Sequence, residues 1–116
     1  MKTDITIPTN IRITPKDRES RPHCLTQLEG EGAPRSIRLD QAEIVLGRDE
    51  DADVCIRSQR ASRRHALLVR QGMDYVVRDN DSRNGVFLNG VKIHSAILRD
   101  GDYLQLADSV FSYNEG

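Results

Sequence analysis

Two polar stretches hold the side chains that could do chemistry. The first runs from Gly47-Arg48 through an acidic patch, Asp49-Glu50-Asp51-Ala52-Asp53, and the short apolar triplet Val54-Cys55-Ile56. It closes on an arginine-rich loop that ends Ser62-Arg63-Arg64-His65. The second reads Asp79-Asn80-Asp81-Ser82-Arg83-Asn84-Gly85 and continues through Val86-Phe87-Leu88 to Asn89-Gly90. Guanidinium, hydroxyl and carboxamide groups dominate both. On loops between strand-like segments, such groups suit capture of a small anion.

Each piece has a competing explanation. Glycine at position 47 permits positive φ or a close backbone approach. Arg48, taken alone, reads as an ion-pair partner for Asp49, Asp51 or Asp53. Ser62 and His65 could form a nucleophile and its base. However, there is no Gly-x-Ser-x-Gly elbow, and no acid is placed to orient the histidine. A histidine that opens a strand and braces the loop is the better reading, so no enzymatic role is expected. The stretch from Asp79 is superficially similar to a calcium loop. Its third ligand position holds Arg83 and its twelfth is Gly90 rather than glutamate, which excludes that metal site. It reads instead as a tight turn whose Asn84-Gly85 pair tolerates left-handed backbone and whose carboxamide could bond a peptide backbone.

Composition narrows the partners. The formal net charge of -1 argues against bulk nucleic-acid binding by counterion release. Lysine occurs only at positions 2, 16 and 92, so nearly all positive charge is arginine, whose planar fork matches phosphate and carboxylate. Arg48, Arg57, Arg60, Arg63, Arg64 and Arg83 all fall in or beside the two stretches. No apolar run approaches the roughly 20 residues that span a bilayer. No signal-peptide h-region follows Met1, so a cytoplasmic location is expected. Cys24 and Cys55 read as buried free thiols rather than a disulfide. The histidines and cysteines lack metal-ligand spacing, and no cofactor is implied.

The elements that must position these residues are short. Residues 1–21 carry Pro8, Pro15 and the polar run Lys16 to Arg21, and read as a flexible tail or linker. From Pro22 the pattern is strands of three to five residues with turns between them. These are expected at 24–28, 36–39, 42–46, 54–56, 66–70, 75–78, 86–88, 91–93, 96–98, 103–106 and 110–113. Gln71-Gly72-Met73-Asp74 and Asn89-Gly90 are hairpin signals. No segment sustains a 3.6 period, which predicts an all-β sandwich or barrel. With no tryptophan and two phenylalanines, its core must be mainly Leu, Ile and Val.

In this order the pieces resemble the forkhead-associated (FHA) domain. The family's pattern is Gly-Arg, Ser-x-x-His, Ser-x-Asn-Gly, then Asn before a turn. It is met here by Gly47-Arg48, Ser62 to His65, Ser82 to Gly85 and Asn89-Gly90. Leu98-Arg99-Asp100-Gly101-Asp102 is similar to the closing turn. The resemblance covers roughly residues 22 to 113, placing an FHA domain at 22–116. It implies a sandwich of two sheets with about 11 strands and a phosphothreonine-peptide site on loops at one end. By position, Arg48 and Ser62 would hold the phosphate, Arg63 and Arg83 would line the site, and Asn84 would grip the ligand backbone. Gly47, His65, Gly85 and Asn89 would shape the loops. Chemically this is sensible, because a phosphate monoester carries about -1.5 to -2 charge and three acceptor oxygens.

Two departures stand out. Arg83 occupies a position where a small hydroxyl residue is frequent. Val86 replaces a frequent threonine and shifts loop bracing toward Asn84. The resemblance also implies fusion to an output domain in a longer signalling protein. It leaves open a phosphate-independent pairing through a sandwich face. Thr14-Pro15-Lys16-Asp17 places an aspartate three residues after a threonine, so a phosphorylated Thr14 is one conceivable ligand, with an ordinary linker threonine as the plain alternative.

Overall fold

The computed structural model of the chain describes residues 22–116. The expected tail and Thr14 lie outside the described residues. From Pro22 onward the alternation of apolar and polar residues becomes strands. In chain order these are β1 (His23–Glu29), β2 (Arg35–Leu39), β3 (Glu43–Gly47), β4 (Val54–Cys55), β5 (Ala66–Gln71) and β6 (Asp74–Asp79). They continue with β7 (Val86–Leu88), β8 (Val91–Ile93), β9 (Ser95–Ile97), β10 (Tyr103–Leu106) and β11 (Ser109–Asn114). One sheet has the order β9-β6-β5-β3-β4 and the other β2-β1-β11-β10-β7-β8. The architecture is therefore the all-β, two-sheet sandwich expected, with ends within about two residues of those read from the sequence.

Alternation sets which face is buried. Leu104 and Leu106 of β10 point inward while Tyr103 and Gln105 stay exposed. On β11 the buried set is Ser109, Phe111 and Tyr113. Leu25, Leu46, Ile56, Leu68, Val77, Val86 and Leu98 complete a continuous core from both sheets. Each such side chain contributes about 1.5–3 kcal/mol on burial. Aliphatic residues dominate as expected, but Tyr75 and Tyr113 are also fully buried. Their hydroxyls remain satisfied: Tyr75 donates to the Gln41 carbonyl at 2.6 Å, and Tyr113 bonds Nδ1 of His23. Burial, reinforced by the Glu115 carboxylate, raises the Tyr113 phenol above its ordinary range.

Three local features depart from simple antiparallel pairing or from expectation. Strands β3 and β4 pair in parallel, Leu46 with Val54 and Gly47 with Cys55. Asp53 Oδ2, just before β4, accepts the Val45 N–H at 2.8 Å and ties the intervening loop to β3. The turn from β10 to β11 places Ala107 at φ 53, a left-handed position filled without glycine. The cysteines are free, as expected, but both are only partly buried rather than buried.

Tight turns follow the dipeptides that signalled them. Gly72 takes φ 64 between β5 and β6. Asn89 and Gly90 take φ 51 and 84 between β7 and β8, the conformation a two-residue hairpin requires. Asn89 does more than turn. Its Nδ2 donates to Asp102 at 3.0 Å and its Oδ1 accepts the Tyr103 N–H at 2.9 Å, locking the entry to β10. This turn lies at the end of β7 away from Ser82–Gly85, where Asn89 ties the β7–β8 hairpin to the start of β10. Asn89→Ala is expected to cost about 1–3 kcal/mol, from lost hydrogen bonds and an alanine held at positive φ. Urea denaturation measures it, and an unchanged midpoint would contradict this role.

Candidate functional site

The first polar stretch and the Asp79–Gly85 part of the second come together at one end of the sandwich. Gly47 ends β3, Ser62 to His65 lead into β5, and Ser82 to Gly85 lead from β6 into β7. Gly47 shows why the first stretch begins as it does. A Cβ there would sit 2.0 Å from the Arg63 carbonyl oxygen and 2.9 Å from the His65 nitrogen. Close backbone approach, and not positive φ, explains the glycine. The approach is held by main-chain bonds: Arg48 N–H to Ser62 C=O at 2.9 Å, Asp49 N–H to Arg63 C=O at 3.1 Å, and His65 N–H to Leu46 C=O at 2.8 Å.

His65 is fully buried and joins the two loops. Its Nδ1 accepts the Ser62 N–H at 3.0 Å, and its Nε2 donates to the Gly85 carbonyl at 2.8 Å. A backbone N–H can only donate and a carbonyl can only accept. The partners therefore require the neutral tautomer protonated at Nε2. With both nitrogens committed, His65 is not positioned as a base for the Ser62 hydroxyl.

Further bonds stitch the rim. Ser62 Oγ accepts the Arg83 N–H at 3.0 Å. Asn84 Nδ2 donates to the Arg60 carbonyl at 2.6 Å, and Asn80 Nδ2 to the Arg64 carbonyl at 2.9 Å. Ser82 Oγ accepts the Gly85 N–H at 2.9 Å, closing the turn in which Gly85 takes φ 87. Val86 is fully buried, so bracing by a hydroxyl is absent there and Asn84 supplies a cross-loop bond instead.

The rim encloses a depression of about 200 Å³ lined by Arg48, Gln59, Arg60, Ala61, Ser62, Arg63 and Arg83. Arg48 Nε donates to the Ala61 carbonyl at 3.0 Å, which orients the guanidinium. The acidic patch does not neutralise Arg48. Asp49 and Asp53 spend carboxylate oxygens on the N–H groups of Asp51 and Val45. Among the described residues the ion pairs present are Arg60–Asp108 at 3.4 Å and Arg99–Asp74 at 3.5 Å. Arg63 and Arg83 are exposed and line the depression. Asn84 sits at its edge, lining an adjoining hollow with Arg60 and Asp108.

Sequence reasoning passed over Arg60 and Asp108 as site residues. Ser58 Oγ donates to the same Asp108 carboxylate at 3.0 Å and receives the Arg60 N–H at 3.1 Å. Arg60 and Asp108 of this network line both hollows that adjoin the central depression. Arg60 carried a signal, lying in the arginine-rich loop. Asp108 carried none, since its role depends on a contact between residues 48 apart in sequence.

Comparison with known proteins agrees with this geometry. The model for the FHA domain matches residues 44–107. The chain belongs to the FHA-domain family. It is 38% identical over 80 residues to the transcriptional regulatory protein EmbR of Mycobacterium tuberculosis, covering 68% of this chain and 21% of EmbR. The chain thus spans about a fifth of that relative's length. The structure of M. tuberculosis EmbR in complex with a low-affinity phosphopeptide superposes with a TM-score of 0.76 at 30% identity, over 83% of this chain and 25% of EmbR. A structure from work on phosphothreonine-dependent FHA domain interactions gives a TM-score of 0.73 at 26% identity, over 80% of this chain and 95% of that one.

Gly47→Ala tests the assembly of the rim. The added methyl meets backbone that cannot turn aside, and the expected cost is roughly 3 kcal/mol or more. Chemical denaturation gives the loss, and amide spectra of Ser62 to His65 should shift with it. Wild-type stability in the variant would show that the close approach is not required.

Proposed function

We propose that the domain captures a phosphothreonine side chain of a partner protein in the arginine-lined depression and catalyses no reaction. The observation that carries this reading is the convergence of Arg48, Ser62, Arg63 and Arg83 on one small, acid-free depression. A phosphate needs charge-assisted bonds to a preorganised cation and a hydroxyl donor, and both are there. In this reading Arg48 and Ser62 hold the phosphate, Arg63 and Arg83 line its approach, and Asn84 bonds the ligand backbone. The Asn84 carbonyl oxygen has no protein partner among the described residues. His65, Gly47 and Gly85 keep the donors in place so that little ordering entropy is lost on binding.

We assign the module to residues 22–116 and expect it to act in the cytoplasm as the receptor part of a longer regulatory protein. A phosphorylated Thr14 is a candidate ligand alongside partner proteins. Amide shifts of the two loops on phosphorylation at Thr14 would report it, and unchanged loops would exclude it.

Titration calorimetry with matched phosphothreonine and unphosphorylated peptides tests the main reading. Arg48→Ala should weaken phosphopeptide binding by about 10- to 100-fold, the worth of a charge-assisted bond. Equal affinity for the two peptides, or wild-type affinity in the variant, would overturn it. A phosphate-independent contact draws on a different surface. On the six-stranded sheet's solvent side Leu28 and Tyr103 are 47% and 53% exposed. A partner retained by the double variant of Arg48 and Ser62 would favour that second reading.

A further inference from the structure

Gln27 is a fully buried polar side chain with no part in the site described so far. It occupies a core-facing position of β1, two residues on from the buried Leu25, where alternation calls for an apolar residue. A carboxamide is costly to bury unless its hydrogen bonds are made. Those of Gln27 are made on every side. Oε1 accepts Arg35 Nε–H at 2.5 Å, while Nε2 faces the Glu29 carbonyl at 3.0 Å, the Glu31 carbonyl at 3.2 Å and Ser109 Oγ at 3.4 Å. A guanidinium only donates and a carbonyl only accepts, so the partners fix which way the amide points. The backbone is irregular at the same place. Consecutive residues Val110 and Phe111 of β11 oppose Glu29 and Gln27 of β1, which leaves Leu28 as an extra, bulged residue. Bulges re-aim side chains and are frequent next to functional sites.

From Gln27 two routes lead to the rim. The first runs through Arg35, whose Nη2 donates to the Cys55 carbonyl at 2.6 Å. Cys55 ends β4, a strand that pairs with β3 at two positions only. The loop that follows β4 reaches Ala61, whose carbonyl accepts Arg48 Nε–H at 3.0 Å and so aims the guanidinium. The second route runs through Ser109 to its neighbour Asp108. Asp108 holds the same loop, accepting Ser58 Oγ–H at 3.0 Å and pairing with Arg60 at 3.4 Å. Between these ties lies a hollow of about 500 Å³ that also includes Arg48 in its lining. Cys55, Ser58 and Arg60 line it from the loop, and Glu31 and Asp108 line it from turns of the six-stranded sheet.

Resting on the phosphothreonine reading, we infer that Gln27 and Arg35 are positioning residues for Arg48. Neither lines the central depression. Gln27 sets where Arg35 and the turn bearing Asp108 sit. Arg35 carries that position across the sheets to β4, and the loop carries it on to Ala61. Glutamate at position 27 separates this arrangement from a simple strap between sheets. It keeps an acceptor for Arg35, with added charge, but turns an oxygen toward two carbonyls that need a donor.

The test pairs titration calorimetry on a phosphothreonine peptide with NMR of the Arg48 Nε–H group in the ligand-free protein. Arg35→Met keeps the stem and removes both donors. It should weaken phosphopeptide binding by roughly five- to tenfold and move the Arg48 Nε–H resonance. Gln27→Glu should act in the same direction on both readouts, although its acid still faces Arg35. Arg35→Lys offers one ammonium to two separated acceptors and should fall between Arg35→Met and wild type. In an Arg48→Ala background the loss from Arg35→Met should vanish, because a positioning residue acts only through the group it positions. A general loss of stability would lower both backgrounds alike. Urea midpoints establish that each variant is folded at the temperature of titration; should Arg35→Met not fold, Gln27→Glu and Arg35→Lys support the same comparison. Wild-type affinity in Arg35→Met or in Gln27→Glu, equal losses in the two backgrounds, or an unmoved Arg48 resonance would each overturn the inference. Failure of the underlying reading looks different: phosphorylated and unphosphorylated peptides would bind alike and Arg48→Ala would change neither, while the Arg48 resonance would still report the ligand-free geometry.

Discussion

A single buried imidazole makes two separate loops into one rim. His65 is the acceptor for an N–H of the first loop and the donor to a carbonyl of the second. The bond to the Gly85 carbonyl is buried, so leaving that group unpaired would cost about 1–3 kcal/mol. The bond pair specifies a distance as well as a contact. It sets Ser62 beside Gly85, and from there the Ser62 hydroxyl meets the Arg83 N–H and Asn84 reaches the Arg60 carbonyl. Gly47 belongs to the same constraint, because any side chain there would drive Arg63 and His65 off β3.

The sandwich underneath makes this precision affordable. Ala66 and Leu46 are fully buried where β5 pairs with β3, one residue from His65 and Gly47 respectively. Arg35 adds a strap between the sheets. It donates to the Gln27 side chain at 2.5 Å and to the Cys55 carbonyl at 2.6 Å, just below Arg48. Rigid strands therefore hold the loops, and the loops hold the charges. Like charges at the depression repel one another, a cost that the hydrophobic core offsets and that an anionic ligand would relieve.

Legibility in the sequence followed the range of the interactions. Strands with clean alternation, such as Tyr103–Leu106, and turns with Asn-Gly or Gly were readable, because both signals are local. The motif spacing made Arg48, Ser62, Arg63 and Arg83 readable as one cluster, and all four line one depression. What escaped was set by tertiary contact. The Arg60–Asp108 pair and the His23–Tyr113 bond join residues far apart in the chain. Ala107 at positive φ escaped because the fold overrides local preference there. The acidic patch misled in a simple way: Asp49 and Asp53 serve backbone N–H groups, so charge adjacency to Arg48 did not become an ion pair.

The direct measurement is the protonation pattern of the His65 ring, by long-range proton–nitrogen correlation on the labelled domain. The account predicts a proton on Nε2 and an unprotonated Nδ1, with the pattern unchanged when a phosphothreonine peptide is added. A proton on Nδ1 would contradict it, since Ser62 N–H could then no longer donate to the ring and the two loops would lose their common anchor.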